Sequence, residues 1–508
     1  MLVHVRSAAV LGVAAVPVDV EVEVSGGFPG FHVVGLAAAA VKEATVRVAS
    51  AVRHVAPGVK LADRRITANL APADLRKEGS GFDLPIALAL LGAARIVRPE
   101  ALDGLHLTGE ISLSGEVKPV RGVLLQALEA RRAGARGLVV PEANAREAAI
   151  VEGLAVHPVR HLRELVAWIR GEGELPARAP EALEPTADGG LDLADVAGQE
   201  QAKRALEIAA AGAHNLLFLG PPGSGKTMLA RRLPGILPPL AFDEAIEATV
   251  VHSVAGLTRG RGLLAERPFR APHHSVSDAG MVGGSSVPRP GEASLAHHGV
   301  LFLDELPEFR RHVLDALRQP VEDGEVCLVR AARAVSYPAR FMLVAAMNPC
   351  PCGHLGDARR ACRCTVHEQL RYRRRVSGPL LDRLDLHVDV PAVPWTSLPA
   401  AGQGERSAAV RARVARAREI QAERAGPRGP RVNARLKGAA LRRACALDDR
   451  GRALLLRAVE RLGLSARGHD RILRVARTIA DLEGREAIAP HHLAEAVQYR
   501  ALDREPVA

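Results

Sequence analysis

The sequence predicts a multi-domain α/β protein with a parallel sheet wrapped by helices at its centre and a helical domain at its end. Two observations carry this. Between Leu191 and about Val393, apolar strand-like runs such as Asn215-Leu216-Leu217-Phe218-Leu219 and Val300-Leu301-Phe302-Leu303 alternate with helical segments, which is the pattern of strands joined by crossover helices. Beyond Pro394 the chain turns to Arg/Ala/Leu-rich helix broken at Gly426 to Pro430. With 508 residues, 48% of them apolar, it exceeds the size at which one core stops growing, so two or three domains are expected.

Residues 1–170 alternate Val-rich strands with Ala-rich helical stretches. Val18, Val20, Val22 and Val24 alternate with Asp19, Glu21 and Glu23, as in a half-buried strand. This opening has no basic stretch followed by an apolar run, so no signal peptide is expected. The most apolar run, Leu84 to Ala94, is far shorter than the roughly 20 residues of a membrane helix. A cytoplasmic location without membrane contact is expected. Residues 171–190, opening with Gly171-Glu172-Gly173-Glu174-Leu175-Pro176, form a Pro-, Ala- and Glu-rich linker. Residues 191–395 then form the α/β core and 396–508 the helical domain. The net charge is +11, and seven of the 68 basic residues are Lys. Two explanations stand for that balance: an Arg-biased composition, or a polyanion partner gripped bidentately by guanidinium groups. Six Cys in so long a chain argue against a disulfide framework.

The sharpest motif is Gly220-Pro221-Pro222-Gly223-Ser224-Gly225-Lys226-Thr227, which follows a strand and precedes a helix. Glycines let backbone amides turn toward phosphates, the helix N-terminus adds positive potential, Lys226 reaches the terminal phosphates and Thr227 holds Mg²⁺. The run Val300 to Leu303 ends in Asp304-Glu305, where a neutral turn residue would be usual. Asp304 suits Mg²⁺ through water, and Glu305 suits polarising the attacking water. A third strand, Phe341 to Ala346, leads into Met347-Asn348-Pro349. Asn348 there is either a routine turn residue or an amide that orients water.

Asp192 to Glu200, the loop at Gly220, Asp304-Glu305, Asn348 and Ser377 to Asp385 occur in the order seen in AAA+ ATPases, and resemble the magnesium-chelatase-like group most. Arg267-Pro268-Phe269-Arg270-Ala271-Pro272-His273-His274 and Pro290 to His297 resemble its YifB/ComM family. The resemblance implies ATP and Mg²⁺ as cofactors, Asn348 as sensor 1, and Arg383 as an arginine finger completing a neighbouring subunit's site. Its alternative role is an ion pair with Asp382 or Asp385. The resemblance also implies Arg467 as the sensor 2 residue, with Arg474 second, and a hexameric ring, because a finger acting in trans needs a ring. The segment Arg267 to Pro290 corresponds to an insertion that projects toward the pore in related motors. His273 and His274 receive no chemistry.

The N-terminal section resembles the Lon-protease-like (S5-like) α+β fold through Leu75 to Gly81 and Leu107 to Gly115. Aligned on these, the nucleophile position carries Gly81 and the Lys position Leu124, while Ser80, Lys77 and Lys118 fall elsewhere. No peptidase activity is expected. Cys350-x-Cys352 and Cys362-x-Cys364, nine residues apart, suit either a tetrahedral Zn²⁺ or a set of reduced thiols. Arg359, Arg360, Arg363 and Arg371-Tyr372-Arg373-Arg374-Arg375 form a basic cluster that is either a solvated face or a polyanion contact; the ComM-type resemblance implies branched or single-stranded DNA there. The ComM resemblance implies a motor for branch migration in natural transformation. A chelatase motor subunit and an ATP-dependent protease are the alternatives.

Overall fold

A computed structural model of the chain describes every residue except 60, 62, 76, 180–189, 259–261, 285–287, 331–332, 357–359, 394–403, 428 and 501–508. Most of the expected linker, Arg359 and the expected boundary at 395 lie outside the described residues. The chain divides into two compact units: Met1–Glu184 with Ala245–Leu264 and Val329–Tyr337, and Pro185–Glu244 with Ala265–Leu328 and Pro338–Ala508.

Unit 1 is built on strands β1 (Leu2–Leu11), β2 (Ala14–Ser25), β3 (Gly30–Val34), β4 (Arg65–Ala71), β5 (Leu105–Leu107), β6 (Glu110–Ile111), β7 (Val117–Lys118), β8 (Gly137–Pro141) and β9 (Val156–Val159). Seven of them form a mixed sheet in the order β3-β4-β2-β1-β5-β8-β9, and β6 pairs with β7. The Val/acid alternation is that of β2: Val18, Val20 and Val22 enter the core while Asp19 and Glu23 face out. The apolar run expected to be too short for a membrane is the helix Asp83–Ala93, buried along its whole length against this sheet. Among the described residues no helix is long and apolar enough to cross a membrane. Segment 245–264 joins this unit through Glu147, whose carboxylate accepts from Ser253, from Thr258 at 2.9 Å and from the Leu124 amide at 3.0 Å.

Unit 2 contains β10 (Leu216–Leu219), β11 (Phe269–Arg270), β12 (Val300–Leu303), β15 (Met342–Met347) and β16 (Leu386–Asp389); between β12 and β15 the chain forms a two-stranded ladder, β13 (Glu325–Arg330) and β14 (Arg333–Pro338), whose residues Val329–Tyr337 count with unit 1. The five-stranded sheet runs β11-β12-β15-β10-β16, and its pairs are parallel. Its strands are apolar at consecutive positions because both faces are covered. Leu216, Phe218, Phe302 and Val344 enter one core with helices Glu200–Gly212, Ser407–Ala425 and Ala466–Leu482; Leu217, Leu301, Leu303 and Leu343 enter another with Leu306, Val313 and Leu317. Each such fully buried side chain contributes about 1.5–3 kcal/mol. The C-terminal helices therefore share a core with the sheet. Because β10, β12 and β15 are parallel, the loops at 220, 304 and 348 all leave the same edge of the sheet, where open α/β sheets bind ligands.

Candidate functional site

The loop after β10 turns into the helix Lys226–Ile236. Gly220 is required by contact: a Cβ there would lie 2.1 Å from the Val390 carbonyl oxygen. Gln199 ties the loop down by donating from Nε2 to the carbonyls of Ser224 at 3.2 Å and Pro391 at 2.6 Å. The Ser224 hydroxyl is buried without a hydrogen-bond partner. Lys226 is 8% exposed, and its ammonium donates to the carbonyls of Gly220 at 2.7 Å and Pro221 at 2.8 Å and to Asn348 Oδ1 at 3.2 Å. Burial pulls its pKa below the ordinary lysine value, while Asp304 and Glu305 oppose that fall.

Thr227 donates from Oγ1 to Asp304 Oδ2 at 2.6 Å, and the other carboxylate oxygen accepts from the Glu305 amide at 2.9 Å. Asp304 is thus held from both sides. Glu305 has a φ of +53°, the left-handed region that non-glycine residues enter where surrounding structure holds them. Its side chain is 59% exposed and lies 3.7 Å from His274 Nδ1. These residues fit a magnesium nucleotide: an unpartnered buried hydroxyl, a cation lying on its own loop's carbonyls, and a hydroxyl beside a carboxylate, the hard oxygen donors Mg²⁺ takes.

The remaining candidates form a second group. Arg383 is 10% exposed; it donates to the Pro379 carbonyl at 2.6 Å and pairs with Glu322 at 2.7 Å, so its partner is neither Asp382 nor Asp385. Asp385 is committed elsewhere, to the Asn215 amide at 2.9 Å and near His214 and Arg471 at 3.6 Å each. Arg467 is exposed at the start of helix Ala466–Leu482, capped by Ser465. Against a burial that raises it, the Glu322 carboxyl is held below its ordinary value by Arg383, then by Arg467 and Lys437. Arg474 donates to the Leu436 carbonyl at 2.9 Å. Fold geometry thus joins Lys226, Thr227, Asp304 and Asn348 in one cluster, and Arg383 and Arg467 around Glu322.

The four cysteines converge. Their Sγ atoms all lie within 4.8 Å of one another, with Cys350 3.4 Å from Cys352 and 3.6 Å from Cys362. Close by in sequence, Arg371, Arg374 and Arg375 line a groove of about 430 Å³ with Arg311, Glu308, Pro307 and Phe309. In unit 1 Ser80 donates to Glu110, Lys77 to the Pro72 carbonyl, and Lys118 pairs with Glu116 at 2.7 Å. Leu124 is fully buried.

Two contributors escape the sequence: His274 and Glu322. His274 stands in a loop with no periodicity, and its nearness to Glu305 is a product of the fold. Glu322 lies in a short helix, Arg318–Asp323, whose composition marks nothing.

Comparison with known proteins matches the family "Magnesium chelatase, subunit ChlI" over residues 192–398, its C-terminal model over 404–500, and "Subunit ChlI of Mg-chelatase" over 20–144. The chain is 48% identical to competence protein ComM of Haemophilus influenzae over 99% of its own length and 98% of that protein's. It is 47% identical to the uncharacterized protein YifB of Salmonella typhimurium over 99% and 97%. With the magnesium-chelatase 38 kDa subunit of Rhodobacter capsulatus it shares 29% identity over 33% of this chain and 54% of that one. The chain belongs to the magnesium-chelatase-like YifB/ComM family of AAA+ proteins.

Proposed function

We propose that the protein is a cytoplasmic, ATP-hydrolysing ring motor that acts on branched or single-stranded DNA, in the manner implied by its likeness to competence protein ComM. The observation that carries the ATPase part is the cluster of Lys226, Thr227, Asp304 and Asn348 at one edge of the parallel sheet. A bound magnesium nucleotide supplies the scissile phosphoanhydride bond and the cation that offsets its charge. Lys226 meets the charge of the terminal phosphates, giving up loop carbonyls for them. Thr227 and Asp304 hold the cation. Glu305, exposed and fixed at its amide by Asp304, takes the proton of the attacking water, and Asn348 orients that water. Arg383 completes the site of the next subunit, with Arg467 beside it, so ring assembly has to release it from Glu322.

The DNA part rests on the groove of Arg311, Arg371, Arg374 and Arg375, which offers guanidinium groups in one place to a phosphate backbone. The domain plan is a Lon-like scaffold without a peptidase pair (1–170), a linker (171–190), a core (191–395) and a helical lid (396–508). The four thiols take Zn²⁺. The deciding measurement is ATP turnover with forked DNA, single strands and no DNA, with Glu305→Gln as the inactive control. Equal rates in all three, together with no salt-sensitive DNA binding, sink the DNA reading.

A second reading, a chelatase-type motor subunit that remodels a protein partner, is favoured by the chelatase name of the models matching 20–144 and 192–398. Against it, the likeness to the Rhodobacter capsulatus subunit covers 33% of the chain. DNA-independent turnover stimulated by a protein partner would support it. The protease reading survives only if purified protein cleaves casein and Ser80→Ala abolishes the cleavage.

A further inference from the structure

The four-cysteine cluster and the nucleotide loop touch. Gly353, between the first cysteine pair and the second, has a φ of +81°, and a Cβ on it would lie 2.5 Å from Pro222 Cδ, 2.8 Å from Pro222 Cγ and 3.9 Å from Asn348 Cγ. The turn that brings Cys350 and Cys352 together therefore rests on the phosphate loop at Pro222, with the Asn348 amide beside it. A second link leaves the other cysteine pair. Thr365 and Glu368 form a capping box that starts helix Val366–Arg373, and Gln369 donates from this helix to the Cys364 carbonyl at 3.1 Å and toward Cys362 Sγ at 3.7 Å. One turn on, Tyr372 is buried in the same core as Met347, the neighbour of Asn348, and the Asn348 backbone works against the burial that pushes its hydroxyl's pKa up. Asn348 in turn accepts from Lys226.

We propose that Cys350, Cys352, Cys362 and Cys364 form a structural Zn²⁺ clip that positions the phosphate loop and Asn348 through Gly353 and Tyr372. The sulfur separations of 3.4, 3.6 and 3.7 Å approach the roughly 3.8 Å edge of a tetrahedron with Zn–S bonds of about 2.3 Å, and are far from the ~2.05 Å of a disulfide. A short loop without an apolar core of its own gains order from such a metal. The role assigned to Pro222 and Asn348 rests on the nucleotide-site reading above, but the clip itself does not.

Full-length protein is purified without added metal, its zinc is counted, and amide hydrogen exchange is followed before and after extraction with a strong zinc chelator. About one zinc per chain is expected, and extraction raises exchange about tenfold or more in both 350–373 and 220–228 while unit 1 stays unchanged. Cys362→Ser/Cys364→Ser reproduces the extracted state. Tyr372→Phe keeps its zinc and lowers kcat roughly threefold to tenfold at unchanged KM, the effect of one altered contact behind a positioned group. Absence of stoichiometric zinc overturns the clip, as does zinc whose removal leaves exchange in 220–228 unaltered. Metal-dependent exchange in a protein that hydrolyses no ATP upholds the clip and removes the ATPase reading instead.

Discussion

Each unit holds a lysine, a hydroxyl and a carboxylate within one short stretch of fold, with the hydroxyl on the acid and the ammonium on backbone carbonyl in both; unit 2 differs in bringing a further strand-end side chain, Asn348, onto its lysine. In unit 2, Lys226, Thr227 and Asp304 converge on one loop: the hydroxyl donates to the acid, and the ammonium lies on backbone carbonyls that a more negative group can displace. In unit 1, Ser80 donates a hydrogen bond to Glu110 while fully buried Lys77 donates to the Pro72 carbonyl. Ser80 and Lys77 thus bond to different partners and form no Ser–Lys pair. The inventory is shared, and convergence separates a candidate active site from a scaffold.

The largest test of that contrast is Arg383→Ala, expected to lower turnover ~10³ to ~10⁵-fold. Mixing it with Lys226→Ala subunits should restore part of the activity, because each supplies the half-site the other lacks. No recovery in mixtures would place Arg383 in its own subunit's site. Next comes Glu305→Gln, which should cost about 10²–10⁴ in kcat while nucleotide affinity stays near that of the wild type; an equal loss of affinity would make Glu305 a binding residue. Gly220→Ala drives a methyl group against Val390 and should destabilise unit 2 by about 1–3 kcal/mol, read as an earlier thermal transition. Replacing Arg371 and Arg374 by Ala should weaken DNA binding for all sequences alike and flatten its salt dependence by roughly one unit of slope per lost phosphate contact. An unaltered slope would move the DNA surface away from this groove. The smallest effect belongs to Ser80→Ala, which removes one hydrogen bond, about 1 kcal/mol, from unit 1 and should leave turnover alone. A threefold or greater drop in ATP hydrolysis would show that the Ser80–Glu110 pair does more than support.

Much of this was legible in the chain, for identifiable reasons. Strands β10, β12 and β15 announced themselves because burial on both faces demands unbroken apolar runs, and β2 because burial on one face demands alternation. The grouping of Ala245–Leu264 with unit 1 was not legible. It depends on Glu147 meeting Ser253 and Thr258, polar contacts between segments about a hundred residues apart, which leave no periodic trace. Arg383 was legible as a candidate, but its resting partner was not, since Glu322 is a single exposed residue in a short helix.

What the sequence determined alone is whatever short-range geometry dictates: a glycine loop between strand and helix, two acids at a strand end, and two C-x-C pairs able to gather four thiols. Backbone freedom, helix-terminal potential and metal-ligand reach all act over a few residues. Tertiary structure decided which side chains meet across long stretches of chain. It set Thr227 on Asp304, Gly353 on Pro222 and Arg383 on Glu322, and it kept Ser80 for Glu110. Such pairings follow from how separate elements pack, and packing is fixed by the whole core at once.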